Sequence, residues 1–222
     1  MIRVLLVDDE VLVRAGIRLV LRHADDIEVV AEAGDGDEAV AEATRVPVDV
    51  VLLDVRMPGS GGLAAVQRLK QARPMAAVLM LTTFGNEEYV AEALTAGADG
   101  FLLKSSRPEE LIGAVRSAAG GEAVLSPGVT GHVLRTLRES AARDNTGAAA
   151  RARELISSLT DRERAVLALL GNGMSNAEIA GRLGVETGTV KAHVGRILTK
   201  LDAANRVRAA IIAYEAGLTG TP

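Results

Sequence analysis

The chain has 222 residues, enough for one large domain or two small ones, and 48% of them are hydrophobic, so a sizeable core can form. It has no cysteine, which excludes disulfides and thiolate metal sites, and its four aromatic residues leave the interior to Leu, Val, Ile and Ala. The net charge of −4 hides an asymmetry: residues 1–120 carry 12 Lys/Arg against 19 Asp/Glu, and residues 151–222 carry 10 against 7. That pattern predicts two domains, of which only the second is suited to approach a polyanion.

Up to about residue 119, strand-like and helix-like stretches alternate. Strands are predicted at Ile2–Val7, Ile27–Ala31, Asp49–Leu53, Ala77–Leu81 and Gly100–Leu103. The intervening helices are predicted at Val11–His23, Asp35–Ala43, Gly62–Ala72 and Asn86–Ala96, the last stopping at Gly97. Pro108 suits the first turn of a fifth helix, which ends at Gly120-Gly121. Five such repeats predict a parallel sheet covered by helices on both faces. The run Val50-Val51-Leu52-Leu53 is apolar without alternation, as expected of a strand buried on both sides. It ends on Asp54, then turns at Met57-Pro58.

Beyond Gly120 the pattern changes. Val129–Leu137 is periodic enough for a short helix, and Ala141–Ala152 reads as a linker, helical in part. The remainder is helical. Thr160-Asp161-Arg162-Glu163 and Ser175-Asn176-Ala177-Glu178 are capping-box sequences, and Gly184 halts the run that follows the second. A further helix, Thr187–Leu201, completes a helix-turn-helix pattern. Its buried stripe is Val190, Val194, Ile197 and Leu201. The opposite face carries Gly188, Ala192, Gly195 and Thr199, flanked by Lys191 and Arg196, a surface that fits a major groove. A closing helix, Arg206–Ala216, spaces Val207, Ala210, Ile211 and Tyr214 for packing. No apolar run approaches membrane-spanning length, and the opening residues lack the apolar stretch of a signal peptide, so a soluble, cytoplasmic protein is expected.

Several polar residues fall at strand carboxyl ends, where open parallel sheets place their chemistry. Asp8 and Asp9 follow the first strand, Asp54 ends the third, Thr82 follows the fourth and Lys104 the fifth. Three neighbouring carboxylates repel unless a cation compensates them, and Mg²⁺ favours one or two carboxylates with water and a phosphate oxygen. Carboxylates also serve as nucleophiles that form aspartyl phosphates. Taken singly, such residues cap turns or cover surfaces. Gathered at one sheet edge, they point to phosphoryl chemistry.

Residues 1–119 resemble a response-regulator receiver domain. The motifs Val7-Asp8-Asp9, Leu53-Asp54-Val55-Arg56-Met57-Pro58, Leu81-Thr82-Thr83 and Phe101-Leu102-Leu103-Lys104 occur in its order. The resemblance implies a flavodoxin-like, doubly wound five-stranded parallel sheet of order 2-1-3-4-5. It also implies that Asp54 accepts phosphate from a sensor histidine kinase. Asp9, Asp54 and the Arg56 backbone carbonyl would bind Mg²⁺, with Asp8 assisting. Thr82 and Phe101 would form a switch pair and Lys104 the phosphate partner. Gly61 stands where the family usually has an acid, which bears on how the third helix begins.

The end of the chain is similar to the LuxR/NarL-type DNA-binding domain. Leu159 to Glu163, Ser175 to Ala180, Thr189 to Val194 and Lys200-Leu201 carry the likeness. It implies a smaller all-α helix-turn-helix domain over 156–222, joined to the receiver through a linker over 120–155. It further implies contacts from Thr189, Lys191 and His193 to double-stranded DNA, and dimerisation through the last helix. Ala192, Gly195 and Arg196 complete the expected DNA-facing set, with Gly195 replacing the common polar or basic residue. Two rival readings remain on the residues alone. One is a Mg²⁺-dependent phosphohydrolase, against which stands Arg56, where such enzymes generally place a second acid. The other is a DNA-binding scaffold that never meets a kinase, which leaves the acidic set without a purpose.

Overall fold

The computed structural model describes residues 1–58, 61–83, 87–125 and 147–219. The short helix expected at Val129–Leu137 and residues 126–146 of the expected linker lie outside the described residues. The chain divides into two compact units, one formed by Met1–Ala119 with the strand that follows, the other by the helices from Gly147 onward. No described helix is long and apolar enough to cross a membrane.

The first unit runs β1 (Ile2–Val7), α1 (Val11–Leu21), β2 (Ile27–Ala33), α2 (Gly36–Arg45), β3 (Val50–Asp54), α3 (Gly61–Ala72), β4 (Ala77–Thr82), α4 (Glu87–Ala96), β5 (Gly100–Leu103), α5 (Pro108–Gly120) and β6 (Val124–Leu125). Every strand pairing is parallel, and the order is β2-β1-β3-β4-β5-β6. Order 2-1-3-4-5 is therefore as expected, with one short strand added at the β5 edge. The three central strands are buried along most of their length because helices cover both faces. On one face Val4, Leu6, Val50, Leu52, Leu79 and Leu81 pack with Leu21 of α1 and with Leu111 and Val115 of α5. Their alternate neighbours Leu5, Leu53, Met80 and Phe101 are buried on the other face. Each such side chain contributes about 1.5–3 kcal/mol when withdrawn from water.

Two glycines are fixed by close approach. A Cβ on Gly62 would run into the Asp54 carbonyl oxygen and lie 3.2 Å from the Val55 Cα, so glycine is what lets α3 start against the end of β3. Its neighbour Gly61 has φ of 67°, a left-handed conformation that glycine adopts without strain. Likewise, a Cβ on Gly100 would meet the Val124 carbonyl oxygen and the Leu79 side chain, so this glycine admits β6 beside β5.

The second unit comprises α6 (Gly147–Ser157), α7 (Asp161–Gly171), α8 (Asn176–Leu183), α9 (Thr187–Lys200) and α10 (Arg206–Glu215). Both capping boxes form, on Thr160 with Glu163 and on Ser175 with Glu178, and Gly184 closes α8 with φ of 65°. The stripe Val190, Val194, Ile197 and Leu201 is buried among Val166, Leu167, Leu170 and Ile179. Ala152 and Ile156 of α6 join that core, Ala152 from the stretch read as a partly helical linker.

The packing face of α10 differs from the expected one. Ala209, Ile212 and Ala213 are buried, whereas Tyr214 is 71% exposed and Val207 and Ile211 are half-buried. The helix is apolar nearly all round, so periodicity does not choose a face, and the small alanines permit closer approach.

Candidate functional site

The strand register assembles the polar residues. Val7 lies opposite Leu53, Asp54 opposite Leu81, and Thr82 opposite Leu103. Asp8, Asp54, Thr82 and Lys104 thus share one edge of the sheet, and Lys104 N donates to the Thr82 carbonyl at 2.8 Å. A cleft of about 220 Å³ is lined by Asp9, Glu10, Asp54, Val55, Arg56, Thr82, Thr83 and Lys104.

The Lys104 ammonium is the hub. It lies 2.7 Å from Asp8 Oδ2, 3.0 Å from Asp54 Oδ2 and 3.7 Å from Glu10 Oε1. Asp8 is fully buried, Asp54 nearly so, and Asp9 exposed. Burial pushes the Asp54 carboxyl above the ordinary carboxylate range, Lys104 pulls it back, and the Asp8 charge raises it again. Burial also works against the Lys104 ammonium, but its hydrogen bonds to Asp8 and Asp54 outweigh that, and its pKa is raised. The two shifts differ in origin: burial raises the carboxyl, whereas two acids sharing one cation raise the ammonium.

One oxygen each from Asp8, Asp9 and Asp54 lie within 4.8 Å of one another. Three carboxylate oxygens are hard donors beside an open cleft, so the group can hold a metal ion. The expected switch residues sit differently from each other. Thr82 is buried at the cleft, its hydroxyl donating to the Thr83 carbonyl at 3.0 Å, while the Phe101 side chain is wholly buried in the sheet core.

Sequence reasoning passed over three supports of this pocket. Glu10 reaches the cleft, and its amide donates to Asp8 Oδ1 at 2.9 Å. Gly62 carries α3 against the Asp54 peptide. Arg14, on the first turn of α1, donates from Nη1 to the Asp8 carbonyl. The adjacency of Glu10 to the acid pair and the Gly61-Gly62 doublet after Met57-Pro58 were available signals. Nothing in the sequence pointed to Arg14.

On α9, Thr189, Ala192 and Arg196 are exposed, and Lys191, His193 and Gly195 are half-buried. All six lie outside the stripe that packs in the core. His193 Nδ1 is buried without a hydrogen-bond partner among the described residues, and the Thr199 hydroxyl donates to the Gly195 carbonyl at 3.1 Å. The far end of the helix is pinned by Lys200, 2.7 Å from Glu163 of α7. That ammonium, with the Thr160 amide and hydroxyl, holds the Glu163 carboxyl down at about 2.

Comparison with known proteins agrees with both halves. Residues 4–116 match the response regulator receiver domain, and residues 157–213 match the bacterial regulatory proteins of the luxR family. The chain is 42% identical over 218 residues to the uncharacterized transcriptional regulatory protein YxjL of Bacillus subtilis (strain 168), covering 98% of this chain and 97% of that one. It is 36% identical over 212 residues to the nitrate/nitrite response regulator protein NarL of Escherichia coli (strain K12), covering 96% and 94% respectively. The crystal structure of response regulator ChrA, from a heme-sensing two-component system, is similar with a TM-score of 0.52 at 35% identity, over 98% of each chain. A receiver and a LuxR-type helical unit in one polypeptide are the mark of a DNA-binding transcription regulator and not of a turnover enzyme. The chain belongs to the response regulators of the NarL/LuxR type.

Proposed function

We propose that this chain is a cytoplasmic transcription factor that accepts a phosphoryl group on Asp54 from a sensor histidine kinase and, so modified, binds paired DNA half-sites as a homodimer. The observation that carries the reading is the Lys104 ammonium, shared at 2.7 and 3.0 Å by Asp8 and Asp54. In the transfer, an Asp54 carboxylate oxygen bonds to phosphorus as the donor's P–N bond breaks, and the departing imidazole keeps the electron pair and takes up a proton. Asp9, Asp54 and the Arg56 carbonyl would hold Mg²⁺, with Asp8 assisting; when bound, the ion neutralises charge developing on the phosphoryl oxygens.

Lys104 then turns from the carboxylates to the new phosphoryl oxygens, and the Thr82 hydroxyl gives up the Thr83 carbonyl for the same partner. With Thr82 drawn inward, Phe101 repacks, and the receiver favours its second state. The phosphoryl group thus acts as a ligand that shifts an existing equilibrium. In the helical unit Thr189, Lys191, Ala192, His193, Gly195 and Arg196 form the face that enters the major groove, and Gly195 makes base readout modest.

The test is operator affinity with and without a small phosphodonor, for wild type and Asp54→Ala. The phosphodonor raises wild-type affinity by about 5–150-fold, the usual range of coupling between two sites, and leaves Asp54→Ala unchanged. Equal binding in all four conditions excludes phospho-gating.

A further inference from the structure

We infer that Arg14 is a positioning residue for the divalent cation, acting through the peptide that joins Asp8 to Asp9. The inference rests on the cation-binding reading above and concerns what aims Asp9. Besides the Lys104 contact at its Oδ2, Asp8 is held at three points. Its amide donates to the Ala33 carbonyl at 3.1 Å, its Oδ1 accepts from the Glu10 amide at 2.9 Å, and its carbonyl accepts from Arg14 Nη1.

The third contact is the consequential one. The Asp8 carbonyl belongs to the planar unit that leads into Asp9, so fixing the direction of that oxygen fixes the Asp9 N–H and the plane from which the Asp9 Cα departs. Asp9 is the exposed member of the acid group. Its carboxylate therefore depends on the backbone for direction more than buried Asp8 does.

Arg14 is itself braced. Its backbone amide donates to the Glu10 carbonyl at 3.1 Å, which anchors it to the turn that it supports. Its Nε lies 3.4 Å from Glu32 Oε2 on β2, and the other Glu32 oxygen accepts from Arg18 at 2.8 Å. The Arg14 side chain is only 17% exposed, against 44% for Arg18. Arg18 makes the shorter bond to Glu32 yet donates nothing to Asp8, so it serves as an internal control. Both arginines tie α1 to β2, but Arg14 alone of the two reaches the acid loop.

The experiment is Mn²⁺ binding to the full chain followed by electron paramagnetic resonance, with Mg²⁺ competition and a thermal melt of each variant. Arg14→Ala binds Mn²⁺ about tenfold more weakly, the low end of what losing a partner behind a metal ligand costs. Arg14→Lys, which can still reach the carbonyl with one donor, falls between, and Arg18→Ala binds as wild type does. Wild-type affinity in Arg14→Ala, or an equal loss in Arg18→Ala, overturns the inference. Should Arg14→Ala fail to fold, Arg14→Lys decides, and wild-type affinity there overturns it. If the wild-type chain binds neither cation, the cation-binding reading fails instead, a result distinct from the others.

Discussion

The receiver pocket and the α9 face are built in opposite ways. The pocket takes Asp8, Asp54, Thr82 and Lys104 from the ends of four strands spread over nearly a hundred residues, and only the β1–β3–β4–β5 register brings them together. The α9 face takes its six residues from eight consecutive positions on one helix, and helical spacing alone aligns them. A pocket assembled by topology fails when any strand end shifts. A face carried on one helix fails only when that helix loses its seat, or residue by residue as contacts are removed.

That contrast can be broken most forcefully at the hub. Lys104→Met leaves Asp8 and Asp54 facing each other without their shared cation, and breaking a buried pair in this way costs about 3 kcal/mol. Urea unfolding of the full chain will show the loss, and millimolar Mg²⁺ will restore part of it by replacing the missing charge. Gly62→Ala comes next. The added methyl meets the Asp54 carbonyl, which costs about 2 kcal/mol by forced overpacking and displaces Asp54, the proposed phosphoacceptor. Slowed phosphorylation by a small phosphodonor, read on a phosphate-affinity gel, checks the displacement separately from stability.

On the helical side the effects are smaller. Glu163→Gln removes the charge that Lys200 and Thr160 hold, and it lowers the melting temperature at neutral pH. A carboxyl depressed from 4.5 to about 2 stabilises the fold fully above pH 4.5 and progressively less as pH falls towards 2. The gap between wild type and variant therefore stays constant above pH 4.5 and closes below it. Smallest of all, Gly195→Lys adds one cation to the α9 face proposed to enter the groove. It steepens the dependence of log affinity on log salt by about 0.9, one phosphate contact, without changing the pocket.

The same contrast explains what could be read in advance. The strands β1, β3 and β4 were legible because burial on both faces leaves an unbroken apolar run, and the polar residue that ends each run marks itself. The α9 stripe was legible because Val190, Val194, Ile197 and Leu201 alternate with polar neighbours. Where that contrast in polarity is absent, the reading failed. The packing face of α10 was misjudged because Val207, Ile211 and Ile212 are equally apolar, and nothing local says that Ala209 and Ala213 go inward. Strand β6 has two residues, too few for any period, and exists because Gly100 leaves room beside it. The start of α6 reads as linker, helical in part, because its Ala and Arg content shows little pattern, and nothing local says that Ala152 reaches the core. Arg14 was invisible for a different reason. A surface helix commonly carries arginine, and only the folded turn brings the Asp8 carbonyl within its reach.

Strand β5 spans only Gly100–Leu103, yet both of its ends are spoken for. Lys104, one residue past its far end, grips the two acids, while Gly100 and Phe101 at its near end pair with Val124 and Leu125 of β6. A rod of four residues has no hinge within it. A shift of the Lys104 backbone is therefore handed along β5 to β6 through the pairing of Gly100 with Val124 and Phe101 with Leu125.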